Sequence, residues 1–169
     1  EGHWCRVEPL DAARHGPQLY EANALDHEGR MWTYLQSGPF ASLDEYLAWL
    51  EPRPVSEDPL FFAFVDTASN RAAGLGAYLR IEPAAGSIEV GHLQFSPLLQ
   101  RTPAATEAMY LMMRNAFELG YRRYEWKCDS RNAPSRAAAL RLGFQYEGLF
   151  RQAVIYKGPF KSVVDDDGH

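Results

Sequence analysis

Gln100-Arg101-Thr102-Pro103-Ala104-Ala105-Thr106-Glu107-Ala108 is the stretch on which the fold turns. Upstream of it, Ser87-Ile88-Glu89-Val90-Gly91-His92-Leu93-Gln94-Phe95 alternates polar and apolar residues, which is the period of a strand with Ile88 and Val90 on one face and Glu89 and Gly91 on the other. Downstream, Ala105, Ala108, Met109, Met112, Ala116 and Leu119 recur at helical spacing until Gly120 stops the helix. The stretch is therefore a strand-to-helix junction. Helix first turns carry unpaired N–H groups and the positive end of the dipole, a natural seat for phosphate. Small Ala104 and Ala105 would admit a pyrophosphate close to the backbone, and Arg101 would add charge. An ordinary capped helix with Pro103 at its first position shares this local pattern, so the rest of the chain has to decide.

Working outward toward the N-terminus, Leu60 to Val65 and Ala73 to Ile81 are strand-length apolar runs, joined to the 87–95 strand by short turns as an antiparallel meander. Before them, Ser42-Leu43-Asp44-Glu45 is a capping box that opens a helix ended by Pro52. Two further helices are expected at 11–26, with Asp11 as N-cap, and at 30–36. Cys5 to Leu10 reads as a first edge strand. Toward the C-terminus, Tyr121 to Cys128 reads as a strand, Asn132 to Leu142 as a helix closed by Gly143, and Phe144 to Tyr156 as strand-like segments around Gly148. The order is β-α-α-α-β-β-β-α-β-α-β(β), an α/β mixed sheet with crossover helices. Such folds bind ligands where a strand ends and a helix begins.

Composition sets the outer limits. The 169 residues suit one domain, read as 1–160, followed by an acidic tail at 161–169. With 17 Lys and Arg against 22 Asp and Glu, the net charge of -5 argues against a broad polyanion-binding surface, so no nucleic-acid partner is expected. No apolar run is long enough to span a membrane, and Glu1-Gly2-His3-Trp4 lacks the regions of a signal peptide; a cytoplasmic protein without a membrane partner is expected. Two cysteines make no disulfide framework, and Cys128 reads as a buried structural residue. The five histidines lack metal-ligand spacing, so no metal is expected. Tyr121 to Lys127 mixes bases and aromatics as an RNA-binding strand might, but alternation in a half-buried strand explains it.

Three segments carry a resemblance. The 100–108 stretch is similar to the acetyl-CoA loop of the GNAT N-acetyltransferases, which in the Rim group of ribosomal-protein N-terminal acetyltransferases reads approximately Q-x-x-G-x-A-T-E-A. Asn132-Ala133-Pro134-Ser135-Arg136-Ala137-Ala138-Ala139-Leu140-Arg141-Leu142-Gly143-Phe144 resembles that group's N-x-x-S-x-x-x-x-x-K/R-x-G-F, and Ile88-Glu89-Val90-Gly91-His92 its E-I/V-G-Y/H strand. The segments stand in the family's order and spacing, and the resemblance spans residues 5–157. It implies a GNAT fold whose sheet splays open between the 88–95 and 121–128 strands, with acetyl-CoA in the cleft. Gly91 inside a strand independently suggests a bulge.

The resemblance implies a cofactor site made of Phe95, Gln100, Arg101, Thr102, Ala104, Ala105, Thr106, Asn132, Ser135 and Arg136, with amide donors expected from Arg101, Thr102, Ala104, Ala105 and Thr106. Pro103 stands where the family usually has glycine and removes one donor. Ala139 stands where many GNAT enzymes carry a tyrosine that protonates the leaving thiolate, which makes Ser135 the candidate acid. Glu89 is the first candidate for general base and His92 the second, while Glu107 suits a helix first turn. The expected activity is direct acetyl transfer to a primary amine, either a protein N-terminus or a small molecule; a non-catalytic acyl-CoA sensor is the alternative. Trp32, Tyr34, Phe40 and Trp49 are candidates for the acceptor pocket or for ordinary core, and a homodimer is expected from the open last strand.

Overall fold

A computed structural model describes residues 1–151. The described residues form one five-stranded sheet in the order β1-β2-β3-β4-β5, with β1 Cys5–Pro9, β2 Leu60–Asp66, β3 Arg71–Glu82, β4 Ser87–Phe95 and β5 Arg123–Trp126. All neighbours are antiparallel except β4 and β5. The helices are α1 Ala12–Asn23, α2 Leu43–Leu50, α3 Pro103–Glu118 and α4 Ala133–Arg141. The expected α/β mixed sheet is therefore the observed one. No helix among the described residues is long and apolar enough to cross a membrane.

Strand alternation divides the core in two. On one face, Phe64, Tyr78, Ile88 and Val90 pack with Ala104, Ala108, Met109 and Met112 of α3. On the other, Phe61, Ala63, Val65, Leu75 and Ala77 pack with Leu19 of α1 and Tyr46 and Leu50 of α2. The capping box at Ser42 forms as expected: its hydroxyl accepts from the Glu45 amide at 3.2 Å, and the Glu45 carboxylate reaches back to the Ala41 amide at 2.8 Å. Gly16 and Pro17 do not interrupt α1, and the glycine lets side chains of α2 pack close against it. A Cβ there would lie 2.4 Å from Leu47 Cδ2.

Three expectations change. The helix expected at 30–36 is a single 3-10 turn, Arg30–Trp32, confined between the left-handed backbone of Gly29 and Gly38 while Trp32 enters the core. The strand expected at 121–128 shortens to Arg123–Trp126, since among the described residues it pairs only with β4 and the two part beyond Trp126. Residues 144–150 pair with no strand among the described residues; Tyr146, Leu149 and Phe150 are exposed, and an Arg123–Glu147 ion pair holds the segment beside β5. The remainder of the expected 144–156 strand region and the acidic tail at 161–169 lie outside the described residues.

Glu107 closes the N-terminal end of the fold. Its carboxylate accepts from three consecutive amides, His3 at 2.7 Å, Trp4 at 2.6 Å and Cys5 at 2.7 Å, which ties the start of β1 to α3. Burial alone would raise its pKa, but the three amide donors outweigh it and hold the carboxyl below its ordinary 4.5. The contribution to stability is thus complete above pH 4.5 and lost as pH falls through the lowered folded-state value. Glu107→Ala is expected to lower stability at neutral pH by about 2 kcal/mol. Urea titrations should show that difference shrinking on acidification.

Candidate active site

β4 and β5 run parallel from Ser87 opposite Arg123 to Val90 opposite Trp126, and there β5 ends. β4 continues to Phe95 beside β3 alone, so the sheet opens between them, as expected. The opening coincides with a one-residue slip against β3: Ala77 faces Gly91 but Leu75 faces Gln94. The residue that absorbs the slip is His92, at φ 52°, and not Gly91. Gly91 instead marks a close approach, since a Cβ there would sit 3.0 Å from Leu79 Cδ2. Opposite the bulge, Gly76 leaves the room it needs: a Cβ on Gly76 would meet Phe64 Cζ at 2.5 Å and Leu93 Cδ2 at 3.0 Å.

The expected phosphate loop is rigidly built. Leu99 is its buried anchor, and the Ser96 hydroxyl donates to the Ala73 carbonyl at 2.6 Å. Gln100 turns back so that its Nε2 donates to the Phe95 carbonyl at 2.6 Å, while Phe95 itself packs edge-on to Phe64. Thr102 is the N-cap of α3, accepting from the Ala105 amide at 3.2 Å, and its own amide donates to the Leu99 carbonyl at 3.3 Å. The Thr102 and Ala105 amides expected to face phosphate are therefore already engaged within the loop. Arg101, in left-handed backbone, and Ala104 retain amides with no partner among the described residues. The Ala104 and Ala105 methyls lie in the α3 core, so their small size serves close packing.

Residues 130–141 come alongside. The Asn132 side chain caps α4 by accepting from the Ser135 amide at 3.2 Å, and Ser135 Oγ accepts from Trp126 Nε1 at 2.9 Å, which leaves its O–H free to donate. Arg136 Nη1 donates to the Ser130 carbonyl at 3.1 Å, and Arg141 Nη1 to Thr106 Oγ1 at 3.0 Å, joining the end of α4 to the first turn of α3. Tyr34 donates to the Arg131 carbonyl at 3.1 Å, so it bridges to this segment, whereas Trp32, Phe40 and Trp49 belong to the α2-side core. Cys128 is exposed just past the end of β5, contrary to the expected buried position, because β4 no longer runs beside the chain there to cover it.

Glu89 and His92 lie on the α2 side of the opening. Glu89 is buried and its Oε2 accepts from both Arg80 Nη1 at 2.7 Å and Lys127 Nζ at 2.6 Å. A second bulge, with Arg80 at φ 47°, brings the arginine to that carboxylate. Burial works against the charge on Lys127, but Glu125 and Glu89 outweigh it and raise its pKa. The His92 imidazole packs 5.5 Å from the Phe61 ring; burial, then Arg53 and Arg80, press its pKa below the ordinary 6.5 against the opposing pull of Glu89. Neither the arginine bulge nor the Trp126–Ser135 bond has a signal in the sequence, since both depend on which strands become neighbours.

A family model for the acetyltransferase (GNAT) domain matches residues 6–145. The chain belongs to the GNAT acetyltransferase family. A second model, described only as a domain of unknown function, matches residues 149–169. Among solved structures, a GCN5-related N-acetyltransferase from Brucella melitensis shares 48% identity at a TM-score of 0.90, covering 94% of this chain and 72% of that one. A protein from Chromobacterium violaceum, described as a probable GNAT-family acetyltransferase, shares 45% at 0.85, covering 93% and 78%. An acetyltransferase from Salmonella typhimurium that modifies the N-terminal serine of ribosomal protein L7/L12 has a TM-score of 0.77 at 20% identity, covering 93% and 90%; that likeness concerns the fold. Curated proteins gave no match.

In this GNAT domain the Glu89 pairings join β4 to β3 and to Lys127, the residue just past β5. Glu89→Gln should lower stability by about 2 kcal/mol, because two cations lose a buried counter-charge. Lys127→Met should cost less than about 1 kcal/mol, because the lysine is partly exposed and Arg80 remains on Glu89. Urea titration of both variants checks the ranking.

Proposed function

We propose that this GNAT protein is an acetyl-CoA-dependent N-acetyltransferase that moves the acetyl group directly to a primary amine in a ternary complex. The observation that carries the reading is the opening of the sheet at Val90 and Trp126, flanked on one side by the unpaired first-turn amides before α3 and on the other by the Ser135 hydroxyl. Acetyl-CoA supplies an activated thioester. The Arg101 and Ala104 amides hold its phosphates, helped by the Arg101 side chain and by Arg136 and Arg141, which donate to the neutral oxygens of Ser130 and Thr106. Gln100, Thr102 and Ala105 brace the loop, and Asn132 fixes the start of α4.

Acetyl transfer forms a C–N bond and breaks the C–S bond; the amine loses one proton and the departing thiolate gains one. Both candidates for the base line the opening, but the Oε2 of Glu89 already holds two cationic donors. His92 is the better proton acceptor, because its imidazole has no ion pair and its lowered pKa keeps it neutral around pH 7. Glu89 then fixes Lys127 and Arg80 around it. Ser135 donates to the thiolate, its orientation set by Trp126. The acceptor most in keeping with the sequence motifs is a protein N-terminal amine, whose pKa of about 8 leaves more of it neutral than a lysine side chain.

Calorimetric titration with acetyl-CoA, followed by thiol release across a panel of amines, tests the reading. Binding without turnover would favour a non-catalytic acyl-CoA sensor, a role that Pro103 and Ala139 would suit. His92→Ala and Ser135→Ala should each lower kcat on the order of a hundredfold. The wild-type rate should fall on acidification along a limb centred below 6.5, and that limb should vanish in His92→Ala.

A further inference from the structure

Arg53 is a half-buried cation with no carboxylate paired to it among the described residues. The chain leaves α2 at Leu50, and Arg53 folds back over the end of that helix: its amide donates to the Leu50 carbonyl at 3.0 Å and its Nη1 to the Trp49 carbonyl. The guanidinium carbon lies 3.6 Å from the Trp49 ring centroid and 5.6 Å from that of Phe61. Its Nε is buried and has no hydrogen-bond partner among the described residues. Arg80 and Lys127, by contrast, are both engaged by Glu89. Buried charge is normally paired, and an unfilled guanidinium N–H is costly. Capping the α2 carbonyls uses one of the five donors and leaves the buried Nε idle. The Trp49 ring beneath the guanidinium carbon helps hold the group in place, and an arginine fork suits capture of a carboxylate.

The location ties this cation to the acetyl-transfer site. Phe61, under Arg53, packs directly against His92, and the Arg53 charge is felt at that imidazole. From these contacts we infer that Arg53 is a specificity-determining residue that selects acceptors bearing a carboxylate several bonds from the amine. The acceptor lies across Phe61, with its amine at His92 and its carboxylate on the guanidinium. The acceptor is then an acidic peptide N-terminus or a free acidic amino acid, which share this chemistry. This inference rests on the acetyl-transfer reading above and narrows its substrate.

The test measures thiol release from acetyl-CoA with matched acceptors: peptides carrying Asp or Asn in the first or second place, and free aspartate or asparagine. Wild type should favour Asp over Asn by roughly tenfold or more in kcat/KM, the scale of one charge-assisted hydrogen bond, and mainly through KM. Whether the peptide or the free amino acid gives the larger ratio identifies the source. The ratio should collapse to within about twofold in Arg53→Met and recover in part in Arg53→Lys, with thermal melts confirming that both variants fold. Equal wild-type rates on Asp and Asn acceptors would overturn the inference and leave acetyl transfer standing; this comparison needs no variant to fold. A preference that survives Arg53→Met would remove Arg53 from the role. No turnover with any amine would overturn the transfer reading, and the inference with it.

Discussion

One extra residue in β4 relative to β3 governs the geometry of this protein. Before the slip, Ile88 and Val90 face α3; after it, Leu93 and Phe95 do, so the apolar side changes from even to odd positions. Without a bulge, a straight strand would present Leu93 and Phe95 to the opposite face. Placing His92 in left-handed backbone restores one continuous apolar face on the α3 side and gathers Glu89, His92 and Gln94 away from it. The same distortion coincides with the point where β4 and β5 separate. Gly76 is the concession that the neighbouring strand makes, since any side chain there would collide with Phe64 and Leu93.

The two sides of the opening carry different chemistry. On the α3 side the loop is stiffened by its own hydrogen bonds, leaving the Arg101 and Ala104 amides without a partner among the described residues, and Arg136 and Arg141 donate to neutral oxygens. On the α2 side a buried carboxylate gathers Arg80 and Lys127, so the nominally basic surroundings are partly neutralised before any ligand arrives. Arg53 escapes that neutralisation because it is held by aromatic rings and helix carbonyls, not by a carboxylate. The chain's excess of acidic residues therefore says little about the charge that an acceptor meets.

Legibility varied with the range of the interaction. The capping box at Ser42, the cap at Asp11 and the three-strand meander depend on neighbours within a few residues or on strand period, and each was readable. The 3-10 turn at Arg30–Trp32 was not, because its length is set by how Trp32 enters a core assembled from distant strands. The bulge was anticipated at Gly91 from composition; its position at His92 follows from the register against β3, a long-range property. Cys128 shows the same limit: its burial depended on β5 continuing beside β4, which it does not.

The sequence by itself determined the order of elements, the GNAT family and the loop-to-helix junction that suits a phosphate, because these follow from local periodicity, capping and motif spacing. Only the tertiary structure decided which donors stay available, that Glu89 is bound by two cations while His92 is not, and that Arg53 stands one aromatic ring from His92 with no carboxylate paired to it among the described residues. Those outcomes depend on side chains brought together by strand register and helix packing across long stretches of chain. Local pattern does not encode such distances, and the chemistry of the site is made of them.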